Sequence, residues 1–175
     1  MTAPEPETLL KNGALTGEWV LDPHRSSIRL NSRAIGLPVN GVFRDVSGDG
    51  TVSPDGEVSG TITVAAASID TKNTRRDTHL RSADFFDSDN NPDITFTAHG
   101  IRPAEHGVAV TGALTVRGQT QPVSFDAAAS VPGDGEIWLD AKAQVNRADF
   151  GLTWNLMGMA SMRNTLTVHA VFTRR

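Results

Sequence analysis

Apolar and polar residues alternate with a period of two along most of this chain. Ile28 and Leu30 alternate with Arg29 and Asn31, Ile62 and Val64 with Thr61 and Thr63, and Ile94, Phe96 and Ala98 with Thr95, Thr97 and His99. The same spacing runs through Val108, Val110, Gly112, Leu114 and Val116, and through Val123, Phe125, Ala127 and Ala129. It returns in Ile137, Leu139, Ala141, Ala143 and Val145, and in Leu166, Val168, Ala170 and Phe172. Successive side chains of a strand point to opposite faces, so each run predicts a strand with one apolar face. With a strand near Val42 to Val52 and a short one at Trp19, the pattern predicts about eight or nine strands.

The segments between these runs carry turn chemistry. Ser53-Pro54-Asp55-Gly56, Glu105-His106-Gly107, Arg117-Gly118-Gln119 and Pro132-Gly133-Asp134-Gly135 are Gly-containing connections of hairpin length. Hairpins place sequential strands side by side and antiparallel, which predicts an all-β, up-and-down antiparallel eight-stranded barrel. Its inward positions include Ala98, Gly112, Ala127, Ala129, Ala141, Ala143 and Ala170. Runs of small residues on facing strands leave space for a cavity, whereas Phe43, Phe96, Phe125, Phe150 and Trp138 can fill the same volume as a solid core. The pattern admits both.

Residues 68 to 86, SIDTKNTRRDTHLRSADFF, break the alternation. Asn73 or Thr74 suits a helix N-cap, and Asp77 falls in an early turn where the helix dipole favours an anion. Leu80, Ala83 and Phe86 recur at helical spacing, so this one short crossover helix has an apolar side that must rest on the barrel. It serves either as a plug for one barrel end or as a ligand-contacting lid. Residues 152 to 162 are apolar and neither alternating nor helical, with Met157, Met159 and Met162 close together. Thioethers adapt to irregular shapes, which suits a pocket wall, a loop tucked beneath the barrel or a dimer contact.

A length of 175 residues fits one domain. Residues 1–16 mix Pro, Glu, Lys and Gly and read as a flexible leader, leaving 17–175 as the barrel domain. The leader has neither a basic nor an apolar signal-peptide region, which places the protein in the cytoplasm. No window reaches the roughly 20 apolar residues of a membrane-spanning helix, so membrane contact would be peripheral. A formal charge of −4 without basic clusters argues against nucleic acid as a partner. The absence of cysteine excludes disulfides and thiol chemistry.

Catalytic motifs are absent. The five histidines at 24, 79, 99, 106 and 169 show no metal-binding spacing, and there is neither a Gly-x-Ser-x-Gly elbow nor a phosphate-binding loop. Asp45, Asp49, Asp55 and Asp134 sit among turn residues, as solvated loop carboxylates do. These readings give no enzyme, no metal and no cofactor. Arg147 and Asp149 have the spacing for a structural pair near the last crossover.

The ordered blocks Trp19-Val20-Leu21-Asp22-Pro23-His24-Arg25-Ser26, Gly41-Val42-Phe43, Ser68-Ile69-Asp70-Thr71, Arg76 through Asp87, Pro92-Asp93-Ile94-Thr95-Phe96, Gly112-Ala113-Leu114-Thr115-Val116 and Arg147-Ala148-Asp149-Phe150-Gly151-Leu152 resemble the YceI-like family from about residue 18 to the C-terminus. The resemblance implies a lipocalin-like barrel around a long apolar chain, typically a polyisoprenoid or an isoprenoid quinone, with no catalytic residues. Non-catalytic binding, transport or storage of that lipid is the function implied. Candidate wall residues are then Phe43, Phe85, Phe86, Phe96, Leu114, Phe125, Trp154, Leu156 and Met157. Arg75, Arg76 and His79 are candidates for a diphosphate or quinone head group, since Arg holds phosphate oxygens with paired bonds. Where family members carry a polar Gly-Asp turn before the last strand, Ser161-Met162-Arg163-Asn164 stands here, a departure at the expected ligand mouth. Two other classes compete: a homodimeric interaction module with a filled barrel, and an enzyme or redox protein acting on an isoprenoid-like ligand.

Overall fold

The structure is a computed structural model that describes residues 5–105, 107–133, 135–155, 158 and 160–175. The period-two runs form eleven antiparallel strands among these residues. They are β1 (Gly17–Leu21), β2 (Ser27–Ala34), β3 (Leu37–Phe43), β4 (Val46–Val52), β5 (Val58–Ala65), β6 (Ile69–Asp70), β7 (Asp93–Ala104), β8 (Gly107–Val116), β9 (Gln119–Ser130), β10 (Glu136–Asn146) and β11 (Arg163–Arg174). Two α-helices, α1 (Pro6–Lys11) and α2 (Thr74–Arg81), and 3-10 turns at Ala66–Ser68 and Arg147–Phe150 join them among the described residues.

Eight strands close into a ring in the order β1-β4-β5-β7-β8-β9-β10-β11, and β11 returns to β1 through Trp19↔Arg174, Val20↔Thr173 and Leu21↔Phe172. The other three continue staves of that ring past a bend: β2 follows β1, β3 leads into β4, and β6 follows β5. The result is the expected up-and-down, eight-stave antiparallel barrel. The strand read near Val42 to Val52 is two, separated at Arg44 and Asp45. Pro23 lies in the first bend, where its missing N–H takes nothing from a ladder. That bend is stitched to the C-terminal third of β11, with Asp22 N donating to Val171 O at 2.8 Å and Val171 N donating to Ser26 Oγ at 3.0 Å.

The β8–β9 turn follows its chemistry. Arg117 and Gly118 both have positive φ, 51° and 74°, the two-residue geometry that matches strand twist between β8 and β9. In β7 the register to β8 slips between Ala98 and Gly100, so His99 is an extra residue. The inward set is therefore Ile94, Phe96 and Ala98, then Ile101. The β9–β10 ladder runs only from Trp138↔Ser130 to Ala141↔Ala127, so these staves part toward the end where the Arg147–Phe150 turn lies. Gln121 Nε2 bridges there, donating to the Asp149 carbonyl at 3.0 Å.

The segment read as a leader carries α1, and Leu15 beyond it is buried and accepts a hydrogen bond from Trp19 Nε1 at 2.9 Å. Of the residues proposed to fill a solid core, Trp138 is on the outer face, where Nε1 donates to Glu136 Oε2 and the ring meets His169. Gly112, expected to leave space, is instead covered by the Phe96 ring.

A Cβ on Gly112 would clash with the Thr97 carbonyl oxygen and lie 2.6 Å from the Phe96 ring, whereas one on Gly100 meets nothing within 4 Å. Gly112→Ala should therefore destabilise by about 1–3 kcal/mol through overpacking. Gly100→Ala should be neutral or stabilise by up to about 1 kcal/mol through the unfolded chain. Urea unfolding of both variants checks the contrast, and equal midpoints would refute it.

Candidate functional site

The inward faces enclose two apolar chambers, of about 220 Å³ and about 210 Å³, stacked along the barrel. The first lies toward α1, whose Pro6 and Leu10 border it with Leu15 and Trp19. Its walls include Ala98, Ala127, Ala129, Ala141, Ala143 and Ala170, the small residues expected to leave a void. The second lies toward α2. Phe43, Ile94, Leu114 and Leu166 border both and form the waist between them.

The α2 segment closes its end by local chemistry. Asn73 Oδ1 accepts from Arg76 N at 3.0 Å as the N-cap. The helix stops at Arg81, short of the spacing that ran to Phe86, because the Ser82 hydroxyl takes the His79 carbonyl at 2.6 Å. Phe85 and Phe86 follow in a tight turn, with Phe86 N donating to Leu80 O at 3.0 Å. Asp77 is buried and accepts from both the backbone N–H and the hydroxyl of Thr71. Arg76 grips the same residue, Nε to Thr71 Oγ1 at 2.8 Å and Nη2 to Thr71 O at 3.0 Å. Thr71 thus ties the helix to the end of β6.

Phe43 and Leu114 border both chambers, Phe96 and Phe125 the first, and Phe85 and Phe86 the second. Trp154 lies behind this wall, its ring 4.4 Å from His79 and 5.4 Å from Phe85. Leu156 and Met157 lie outside the described residues. Arg76 and His79 border the second chamber, and His79 Nε2 is 2.8 Å from Asp84 Oδ2. Arg75 is on the outside, where it bounds a shallow surface depression with Asn73, Arg76 and His79. Among the described residues, no three His, Asp or Glu side chains gather into a metal-binding group.

Arg147 carries the main correction. It does not pair with Asp149. Its side chain is buried, at 7% exposure, and borders the second chamber. Nε donates to Ser161 O at 3.0 Å, and Nη1 donates to Leu152 O at 2.8 Å and Trp154 O at 2.7 Å. Among the described residues, Nη2 has a single contact, a long one of 3.5 Å to Ala160 O. The guanidinium lies 5.5 Å from the Phe85 ring centre. The backbone carbonyls of Leu152, Trp154, Ala160 and Ser161 thus gather around one cation. Burial pushes the guanidinium below its ordinary pKa. The sequence offered no signal for this, since carbonyl partners leave no side-chain pattern.

A model of the YceI-like domain matches residues 19–173. The chain belongs to the YceI-like family. Protein YceI of Escherichia coli O6:H1 is 32% identical over 136 residues, 73% of this chain and 70% of that protein. Protein YceI of Salmonella newport is 29% identical over 166 residues, 89% of this chain and 86% of that one. Among solved structures, Burkholderia cenocepacia BcnA superposes with a TM-score of 0.80 at 22% identity, covering 86% of this chain and 98% of BcnA. A polyisoprenoid binding domain from Saccharophagus degradans, implicated in plant cell wall breakdown, gives 0.72 at 15% identity, covering 90% and 98%. Both likenesses show the lipocalin-like YceI barrel.

In this YceI-like chain the approach to α2 is pinned by Asp70, which accepts from Lys72 N at 2.8 Å and from Arg44 Nη2 at 2.9 Å. The Lys72 N–H and then the Arg44 guanidinium hold its carboxyl below the usual value. A carboxyl depressed on folding adds stability above its unfolded pKa, near 4, and that stability is lost as pH falls through the folded value. Asp70→Asn should therefore lower Tm at neutral pH, with the gap to wild type closing in acid. Thermal melts across pH check this, and a gap that persists in strong acid would refute it.

Proposed function

We propose that this YceI-like protein binds a long-chain isoprenoid lipid non-catalytically and acts as its carrier or store. The observation that carries the reading is the pair of stacked apolar chambers, which meet at the Phe43, Ile94, Leu114 and Leu166 waist and offer a tail a path along the barrel. The polyisoprenoid binding named for the Saccharophagus degradans neighbour supports it. Phe43, Phe85, Phe86, Phe96, Leu114 and Phe125 would line the tail, with Trp154 supporting Phe85. Arg76 and His79 would face the head group of a polyprenyl diphosphate or an isoprenoid quinone. Arg75 would serve only a head group that reaches the outer depression.

Energetics favour exchange over permanent capture. Each buried methylene is worth roughly 0.8 kcal/mol relative to water. A tail drawn from a membrane is already out of water, so its transfer into the barrel is a small difference between two large terms. Such a protein would load and unload at a peripheral membrane contact.

Two substitutions and one extraction test the reading. Phe86→Asp should abolish loading, but Phe86 is buried, so Ala141→Phe is the companion variant. Ala141→Phe fills the first chamber and should lower affinity for geranylgeranyl diphosphate at least about tenfold with Tm unchanged or raised. In a solid core the same change would instead cost about 1–3 kcal/mol of stability. Organic extraction of natively purified protein should yield a stoichiometric isoprenoid by mass spectrometry. Lipid-free protein that takes up no added isoprenoid would refute the carrier function.

A further inference from the structure

The apolar row of the β2–β3 hairpin does not stop at the rim of the second chamber. Leu30, Ser32 and Ala34 on β2 and Val39 and Gly41 on β3 border that chamber. Ala34 stands opposite Leu37, so Leu37 continues the same row beyond the rim, where it is 67% exposed. Ile35, in the turn itself, is 71% exposed. These two are the large apolar side chains most open to water among the described residues.

The turn is also strained. Ile35 and Gly36 have φ of 55° and 73°, the two-residue hairpin geometry that favours Asn-Gly. The other described non-glycine residues with positive φ are Lys72, Asp87 and Arg117, none of them apolar or β-branched. A β-branched residue is an outlier in that region. Backbone preference and exposure to water therefore both disfavour Ile at this position. Basic charge flanks it. Residues 23–44 hold four arginines and no Asp or Glu, in a chain of net charge −4. Arg25 and Arg44 are paired with Glu136 and Asp70, whereas Arg33 is exposed and has no carboxylate partner among the described residues. Exposed Arg163 is level with Arg33 on the neighbouring β11, between Thr165, which pairs with Asn31, and Ser161, whose N–H meets the Arg33 carbonyl.

We propose that the β2–β3 tip is a membrane-docking wedge, with Ile35 and Leu37 entering the interfacial layer of an anionic bilayer and Arg33 and Arg163 meeting its surface charge. This rests on the carrier reading above and gives it a place of exchange, where the apolar row from Leu37 to Ala34 joins bilayer to chamber. A second copy of the chain fits the tip less well. Two side chains fall far short of the roughly 800 Å² per partner of a standard interface. A two-fold contact would set two basic tips against each other, and Pro38 offers no N–H for strand pairing at the β3 edge.

Co-sedimentation of the full chain with vesicles tests this, using phosphatidylcholine alone or in equal parts with phosphatidylglycerol. Wild type should bind the anionic vesicles and bind phosphatidylcholine less. Arg33→Gln should weaken the anionic binding about fivefold, one basic residue's share. Ile35→Asn combined with Leu37→Ser should weaken it about tenfold or more. Asn suits the turn, so the Tm of that variant should stay level or rise, which separates lost docking from lost fold. The chain has no cysteine, so one dye reports depth. Nitrobenzoxadiazole on Leu37→Cys should shift to the blue on anionic vesicles, and on Asp55→Cys, in the β4–β5 turn toward α1, it should not. Binding unchanged in both tip variants, or a shift at Asp55→Cys alone, overturns the proposal. A dimer that the Ile35→Asn and Leu37→Ser pair dissolves, with no vesicle binding by wild type, overturns it too. Uptake of geranylgeranyl diphosphate from solution by a chain that ignores both vesicles sinks docking and leaves the carrier reading. Docking by a chain that takes up no isoprenoid does the reverse.

Discussion

Closure of the barrel depends on β11. On one side it pairs with β10 along nearly its whole length, from Asn146↔Arg163 to Glu136↔Thr173. On the other it pairs with two strands in turn, β2 from Asn31↔Thr165 to Ser27↔His169 and β1 from Leu21↔Phe172 to Trp19↔Arg174. The bend between those strands sits opposite Val171, which is buried and bonded to both Asp22 and Ser26. A closed ring has no edge to aggregate from, yet here only three residue pairs join β1 to β11 directly. The bend lets one stave turn a corner without breaking the ring, at the level of the first chamber, whose wall includes Ala170 and Phe172 on either side of Val171.

Within that ring, residue size decides between core and cavity. Alanines on β7, β9, β10 and β11 face one another across the first chamber, where larger side chains would fill the space. The phenylalanines do not offset this, because Phe96 and Phe125 pack against each other at 5.4 Å and Phe43 against Phe86 at 6.0 Å. They form walls and a waist. The second chamber is organised differently, with polar side chains fixing backbone: Thr71 holds α2, Arg117 Nη1 donates to Phe85 O at 3.0 Å, and Arg147 collects the Leu152, Trp154 and Ser161 carbonyls. One end is shaped by missing bulk and the other by a charge network.

This division also governs what the sequence makes legible. Alternation at Val108 to Val116 or Leu166 to Phe172 reports a face directly, because every second side chain meets the same environment. The all-β, up-and-down barrel of eight staves followed from it. The bends did not, since Arg44 and Asp45 interrupt an apolar rhythm by only two residues. The helix end was misplaced because a single hydroxyl, Ser82, overrode a helical spacing that continues to Phe86. Residues 1–16 read as polar composition, although Leu10 and Leu15 meet the barrel interior. Sequence proximity suggests Asp149 as the partner of Arg147, whereas folding directs it to the carbonyls of Leu152, Trp154, Ala160 and Ser161.

The bulge at His99 has a consequence for how this barrel tolerates changes of length. Alternation makes most single-residue deletions in a strand destructive, since every later side chain changes face. Loss of His99 alone leaves Ala98 opposite Gly112 and Gly100 opposite Thr111 as they already stand, with Ile101 still inward. The exposed histidine is thus a spare position in an otherwise rigid reading frame. Chain length on β7 can drift there by one residue while the lining of the barrel stays in phase.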